Sequence, residues 1–234
     1  MKRTLLIGIL YSITVVALAQ TVIEQAWTTS TSEEGLQQID TRINELVSDL
    51  DKHHYRSEVR KLNALFVKTH NRFLNTYDQY AGIEGLVKGH YDCLTATSLF
   101  ADILSRAGYK YKIIETNYHI FIVVNTSEGD VLLETTDRFS GFIDDEEKMK
   151  NVIARYQKNT LPGATAQHHQ YSFSLFETVE VNQLPGLLYF NQAVKAFNAE
   201  KWDECSEKLS AAKLTTNSPR IGELTALLQS RSLR

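Results

Sequence analysis

Three residues in the middle of the chain, Cys93, His119 and Glu134, are of the types that carry out thiol-based acyl transfer. A cysteine attacks a carbonyl as its thiolate. It therefore needs surroundings that favour a negative sulfur, a base within reach, and a third group that orients the base. Cys93 follows Asp92, a residue type that caps helices, and Leu94, Thr97, Phe100, Ala101, Leu104 and Ala107 then recur at helical steps up to Gly108. This spacing puts the sulfur in the first turn of a helix, where unpaired N–H groups and the helix dipole favour an anion. The Cys93 N–H itself is then available to a developing oxyanion. His119 opens the β-branched run 119–124, and Glu134 lies in the run 131–136, across a turn at 125–130 that contains Gly129. Paired antiparallel strands bring such residues within side-chain reach, so the carboxylate can accept from one imidazole nitrogen while the other faces the thiol.

Each residue taken alone also has a plain structural reading. Cys93 fits a buried helix cysteine and His119 a hydrogen-bonded strand histidine. A disulfide between Cys93 and Cys205 is a further alternative, because these are the two cysteines of the chain. Cys205, however, falls at a small-residue position of a helical pair and reads as core. His53-His54 and His168-His169 lack thiol or carboxylate companions and read as loops, so no metal is expected, and no cofactor motif is present.

The elements around these residues follow from periodicity. Leu36, Ile39, Ile43, Leu46 and Leu50 predict an amphipathic helix capped by Ser30 or Thr31. A second helix starts near Ser57 and carries Val59, Leu62, Leu65, Phe66, His70, Phe73 and Tyr77 on one side. The glycine-punctuated stretch 82–89 leads into the cysteine helix, and strands at 111–115, 119–124 and 131–136 follow. A helix is expected at 146–157 and one more strand within 171–181. Residues 184–198 and 202–214 predict an antiparallel helical pair, with Tyr189, Ala193, Ala196 and Phe197 facing Trp202, Cys205, Leu209 and Ala212. Residues 221–233 would cap it. Helices followed by consecutive strands predict an α+β fold with an antiparallel sheet.

The run Gly89-His90-Tyr91-Asp92-Cys93-Leu94, continuing through Phe100 to Ala107-Gly108-Tyr109, resembles the nucleophile helix of transglutaminase-like, papain-type cysteine enzymes. Tyr118-His119-Ile120-Phe121 resembles their histidine strand, and Val131-Leu132-Leu133-Glu134-Thr135-Thr136-Asp137 their third motif. The likeness spans about residues 60–142. The helical tail resembles a single tetratricopeptide repeat, which bacterial members append. The resemblance implies a papain- or transglutaminase-like core and acyl transfer from a peptide or protein amide through a thioester. It makes Cys93 the nucleophile, His119 the general acid and base, and Glu134 the orienting group, with no metal or cofactor. The family usually has aspartate where Glu134 stands. Asp137 is the fallback, but its odd offset along a strand points it to the other face. A module that keeps the fold without the chemistry is the alternative function.

Composition bounds the rest. The chain has 234 residues, 43% hydrophobic and 23% charged, with 25 basic and 28 acidic side chains and a formal charge of −3. Neither sign clusters, so no nucleic-acid surface is expected. Met1-Lys2-Arg3, the apolar run 4–18 and Ala17-Leu18-Ala19 form the pattern of a cleaved export signal at 1–19. The run is shorter than the roughly 20 residues of a spanning helix. The expected division is signal 1–19, enzyme-like domain 20–180 and helical tail 181–234, in a protein that is periplasmic or secreted and meets the membrane through its signal alone. The oligomeric state stays open.

Overall fold

The computed structural model of the chain describes residues 32–158, 171 and 173–232. The expected signal, Ser30, Thr31 and His168-His169 lie outside these residues. Helix α1 (Glu33–Asp51) starts at Ser32, whose hydroxyl accepts from the Gly35 N–H at 3.2 Å. Ser32, rather than Ser30 or Thr31, is therefore the cap. Ile39, Ile43, Leu46 and Leu50 have no exposed surface. At about 2 kcal/mol for each fully buried aliphatic side chain, this stripe explains why the segment holds as a helix.

Helix α2 (Glu58–Phe73) is capped by Ser57 and ends before Tyr77, which periodicity alone assigns to it. The N–H groups of Asn75 and Thr76 both turn to the Gly89 carbonyl, at 2.9 and 3.0 Å, instead of closing another helical turn. Strand β1 (Thr76–Tyr77) thus pairs in parallel with β2 (His90–Tyr91), and the short helix α3 (Ile83–Leu86) fills the connection.

Helix α4 (Cys93–Arg106) follows β2 directly, and all of residues 94–104 are buried. A helix covered around its whole circumference belongs in the centre of a fold. Its buried Asp102 is held by Arg106, Nε to Oδ1 at 2.8 Å and Nη2 to Oδ2 at 2.9 Å. Arg106 Nη1 also donates to Asp40 at 2.6 Å and Asn44 at 2.9 Å, both on α1. The guanidinium leaves neither carboxylate uncompensated, which is the condition for burying charge.

Strands β3 (Lys110–Thr116), β4 (Ile120–Thr126), β5 (Gly129–Leu133), β6 (Phe142–Ile143) and β7 (Phe176–Val179) form an antiparallel sheet in the order β6-β5-β4-β3-β7. One face, with Ile113, Ile120, Ile122, Val124, Val131 and Leu133, packs with α1, α2 and α4. The other face, with Ile114, Phe121 and Leu132, is covered by Met149, Val152, Ile153 and Tyr156 of α5 (Glu146–Gln157). The architecture is α+β, and the β7 strand falls inside the expected 171–181.

Helices α6 (Leu184–Asn198), α7 (Trp202–Ala212) and α8 (Pro219–Ser232) complete the described chain. Leu184, Leu187 and Leu188 join the central core, while Phe190, Ala193, Ala196, Cys205, Leu209, Ala212, Ile221 and Leu224 make a core of their own. Cys205 is fully buried there, and both cysteines are free thiols. The tail is tied to the sheet by Glu115 of β3, which accepts from Ser218 Oγ at 2.7 Å and from Arg220 Nη2 at 2.6 Å. Among the described residues, no helix is long and apolar enough to cross a membrane.

Candidate active site

Cys93 stands at the first position of α4 because Asp92 caps the helix. One Asp92 oxygen accepts from the Thr95 N–H at 2.8 Å, and the Thr95 hydroxyl in turn accepts from the Asp92 N–H at 2.8 Å. This reciprocal box satisfies backbone donors on both sides of Cys93 and sets the turn rigidly. The other Asp92 oxygen accepts from Asn191 Nδ2 on α6 at 2.9 Å. Burial pushes the Asp92 carboxyl up, while the Thr95 and Asn191 donors pull it back. Cys93 itself is partly buried and packs against the central core.

His119 does not lie in a strand ladder. It closes the tight turn between β3 and β4, where the Thr116 N–H donates to the His119 carbonyl at 2.8 Å. The Thr116 hydroxyl accepts from the His119 N–H at 3.0 Å and so fixes the backbone that aims the ring. Asn117, inside the turn and buried, donates to the Phe173 carbonyl at 2.8 Å and accepts from the Leu175 N–H at 2.7 Å.

Glu134 likewise lies just past the end of β5 rather than on it. Its N–H donates to the Gly141 carbonyl at 2.8 Å, closing a turn over residues 134–141. A Cβ at Gly141 would collide with the carbonyl oxygens of Asp137 and Glu134, so the turn requires glycine there. Thr135, inside the turn and fully buried, pairs with Thr97 at 3.0 Å and reaches the Cys93 carbonyl at 3.5 Å. The turn that carries the carboxylate is thus pinned to the helix that carries the thiol.

These supports bring the three side chains together. His119 Nε2 and Glu134 Oε1 are 2.6 Å apart. The Cys93 sulfur is close enough to act on the same ring. Burial alone would lower the basicity of His119, but the Glu134 carboxylate and the Cys93 sulfur override it and raise the imidazole to about 10. Burial would raise Glu134, yet His119, Tyr156 and Thr136 hold it below the usual carboxylate range. Asp137 takes no part in this cluster. Its carboxylate is occupied by the Phe139 and Ser140 N–H groups at 3.0 and 2.9 Å, at the exposed tip of the turn.

Periodicity and motif leave one site residue out. Tyr156 donates its hydroxyl to Glu134 Oε2 at 2.6 Å and stacks on the His119 ring, centroids 5.3 Å apart and planes 20° apart. It also stacks with Phe121, centroids 5.2 Å apart. Its place in the apolar stripe Met149, Val152, Ile153, Tyr156 is visible in the sequence, but nothing local distinguishes it from an ordinary core tyrosine. The arrangement can hold a proton between ring and carboxylate, keep the ring fixed, and set a thiol near the ring. Among the described residues there is no group of three histidine, cysteine or carboxylate side chains that would hold a metal. Comparison with protein-family models, curated proteins and solved structures finds no match.

Proposed function

We propose that this chain is an exported cysteine hydrolase or acyltransferase that acts on peptide-like amides through a thioester, built on a papain- or transglutaminase-like core. The observation that supports the reading is the 2.6 Å contact of His119 Nε2 with Glu134 Oε1, with the Cys93 sulfur close enough to act on the same ring. A buried carboxylate held by three donors keeps the imidazole protonated, so the ring beside Cys93 carries the proton that a departing amine needs.

The step follows from these positions. The Cys93 sulfur attacks the amide carbon, and the carbonyl electrons move to an oxyanion that the Cys93 N–H meets as a donor. As the C–N bond breaks, the Nδ1 proton of His119 passes to the departing amine and a thioester remains. Neutral His119 then takes a proton from water or from an acceptor amine as it attacks the thioester. The sulfur leaves as thiolate and the starting charge state returns. Glu134 stays ionised throughout and holds the ring in register. Export rests on the pattern of residues 1–19.

Alkylation kinetics test the reading. Cys93 is expected to react with iodoacetamide at pH ~6 at least roughly tenfold faster than glutathione, with buried Cys205 as the unreactive internal control. Cys93→Ala removes the reaction and leaves the melting temperature within a few degrees, and incubation with peptide amides and hydroxylamine yields hydroxamates from the native protein alone. A Cys93 rate equal to that of a free thiol removes the enzymatic reading.

A further inference from the structure

Of the three sides of the triangle formed by Cys93, His119 and Glu134, two are fixed inside the sheet and its central helix. His119 and Glu134 meet at 2.6 Å, and Thr135 pins the Glu134 turn to Thr97 of α4 at 3.0 Å. The side from Cys93 to His119 runs between a helix start and a turn that belong to different elements, and the helical tail spans it. At the cysteine end, Asp92 is 2% exposed, and Asn191 Nδ2 of α6 donates to its Oδ2 at 2.9 Å. The next residue, Gln192, donates its Nε2 to the Tyr80 carbonyl at 3.2 Å. Tyr80 has a left-handed backbone, φ 64, which a tyrosine adopts only where its surroundings enforce it. Since Tyr80 lies between β1 and α3, adjacent amides of one helix hold the entrance and the exit of the stretch that leads into Cys93.

At the histidine end the grip comes from α8. Glu115 is 3% exposed and stands opposite Ile120, the last ladder pair before the turn that carries His119. Arg220 donates from Nε and Nη2 to Glu115 Oε1 at 2.9 and 2.6 Å. Its Nη1 donates to the carbonyl of Asn117, inside that turn, at 3.4 Å. A guanidinium that serves several acceptors fixes their spacing, because its fork is planar and rigid. The same group lies over the ring of Phe190, 4.8 Å from the centroid, a contact that is attractive and directional. Phe190 is 2% exposed and directly precedes Asn191. The two grips therefore meet on consecutive residues of α6.

We propose that Asn191 and Arg220 are positioning residues, and that the helical tail is a brace that sets the Cys93 sulfur against the His119 ring. This rests on sulfur and imidazole working as a pair, and it makes the tail a working part of the site rather than an appended module. Each residue acts through its neighbours, Asn191 through Asp92 to Cys93 and Arg220 through Glu115 and Asn117 to His119. Releasing the brace must then loosen the side between Cys93 and His119 and leave the side between His119 and Glu134 intact.

The test reads both sides through the titration of the His119 ring protons by NMR in the full chain. In the native background, Cys93→Ala is expected to lower the midpoint of the ring by about one pH unit, and Glu134→Gln by more. Asn191→Leu keeps the size of asparagine but removes the donor to Asp92. In that background the Cys93→Ala shift is expected to fall to less than about half, while the Glu134→Gln shift is retained. Asn191→Gln keeps an amide donor and restores most of the shift. Arg220→Lys keeps the charge beside Glu115 but gives up the fork, so it reduces the Cys93→Ala shift in the same way and carries the test where Asn191→Leu does not fold. A Cys93→Ala shift of native size in both variants, or a parallel fall of both shifts, makes the tail a stabilising module and overturns the brace. A ring that Cys93→Ala leaves unmoved in the native background overturns the pairing of sulfur and imidazole, and the brace with it. The two failures are told apart by the background in which they occur.

Discussion

Replacing Glu134 by glutamine separates charge from shape at the centre of the site. Glutamine keeps the length and an oxygen for the Tyr156 hydroxyl, but it removes the negative charge 2.6 Å from His119 Nε2. Raising an imidazole from 6.5 to about 10 corresponds to about 5 kcal/mol of preference for the protonated ring. Part of that belongs to the Cys93 sulfur, so the measurement is made in a Cys93→Ala background, where Glu134 is the remaining partner. There the imidazole is expected to titrate well above pH ~7 with Glu134 in place. Once Glu134→Gln is added, burial alone acts on the ring, and it is expected to titrate below about 6.5.

The readout is the pH dependence of the His119 ring protons by NMR, assigned among the seven histidines by subtraction with His119→Asn. Stability must follow the same sign. A histidine whose folded value is raised contributes stability that is complete below about 6.5 and is lost as pH climbs through the folded value. Glu134, whose folded value is depressed, contributes stability above its ordinary range near 4.5 and loses it as pH falls through the folded value. The cost of Glu134→Gln in denaturant unfolding is therefore largest between about pH 4.5 and about pH 6.5, on the order of 3 kcal/mol for breaking a buried pair, and shrinks towards about pH 10. A ring still titrating above about 8 in the doubly substituted protein, or a cost independent of pH, refutes the electrostatic coupling.

Two further substitutions probe different parts of the fold. Tyr156→Phe keeps the ring stacked on His119 but removes the donor to Glu134 Oε2; Cys93 alkylation at about pH 6 is expected to slow about tenfold while the melting temperature moves little, and an unchanged rate would make Tyr156 a packing residue. His70 is buried on α2 with neither ring nitrogen hydrogen-bonded, against Phe66 and Phe100, and burial, with Arg138 next, lowers it to about 4. The wild type must then lose up to about 3 kcal/mol as pH falls from 6.5 to about 4, since the unfolded chain takes the proton that the folded chain refuses. His70→Leu removes that slope and stabilises by about 1–2 kcal/mol at about pH 7 in urea unfolding; a slope that survives the substitution would assign it to another group and refute the argument.

The parts of this molecule that rest on local pattern are readable in the chain. The stripe from Ile39 to Leu50, the Asp92 cap, the hairpin about Gly129 and the tail helices each follow from residues within a turn or two of one another. Where local pattern misleads, a distant segment decides the outcome. Tyr77 keeps helical spacing with Phe73, yet the carbonyl of Gly89 captures the N–H groups that a longer helix would use. Tyr156 is 22 residues from Glu134 and Asn191 is 99 from Asp92, and no spacing rule reaches across such separations. Periodicity places His119 and Glu134 on strands, whereas each lies just outside one. The ladder register, Ile122 opposite Leu133, explains why they still meet, because it brings the end of β5 alongside the start of β4.

That placement also accounts for glutamate where the resemblance leads one to expect aspartate. Within a ladder, a carboxylate must reach its neighbour at a separation set by the strands, and an extra methylene is a burden. Glu134 lies past the last ladder residue, on a turn whose backbone is closed by the Gly141 carbonyl and held to α4 through Thr135. From there the longer side chain reaches back to Nε2 with one oxygen and leaves the other to Tyr156. A shorter acid on the same backbone would reach one donor and abandon the other, leaving a buried hydroxyl without its acceptor. Glutamate, the Gly141 turn and Tyr156 thus form one solution to holding a charged carboxylate behind an imidazole. None of the three is explained without the other two.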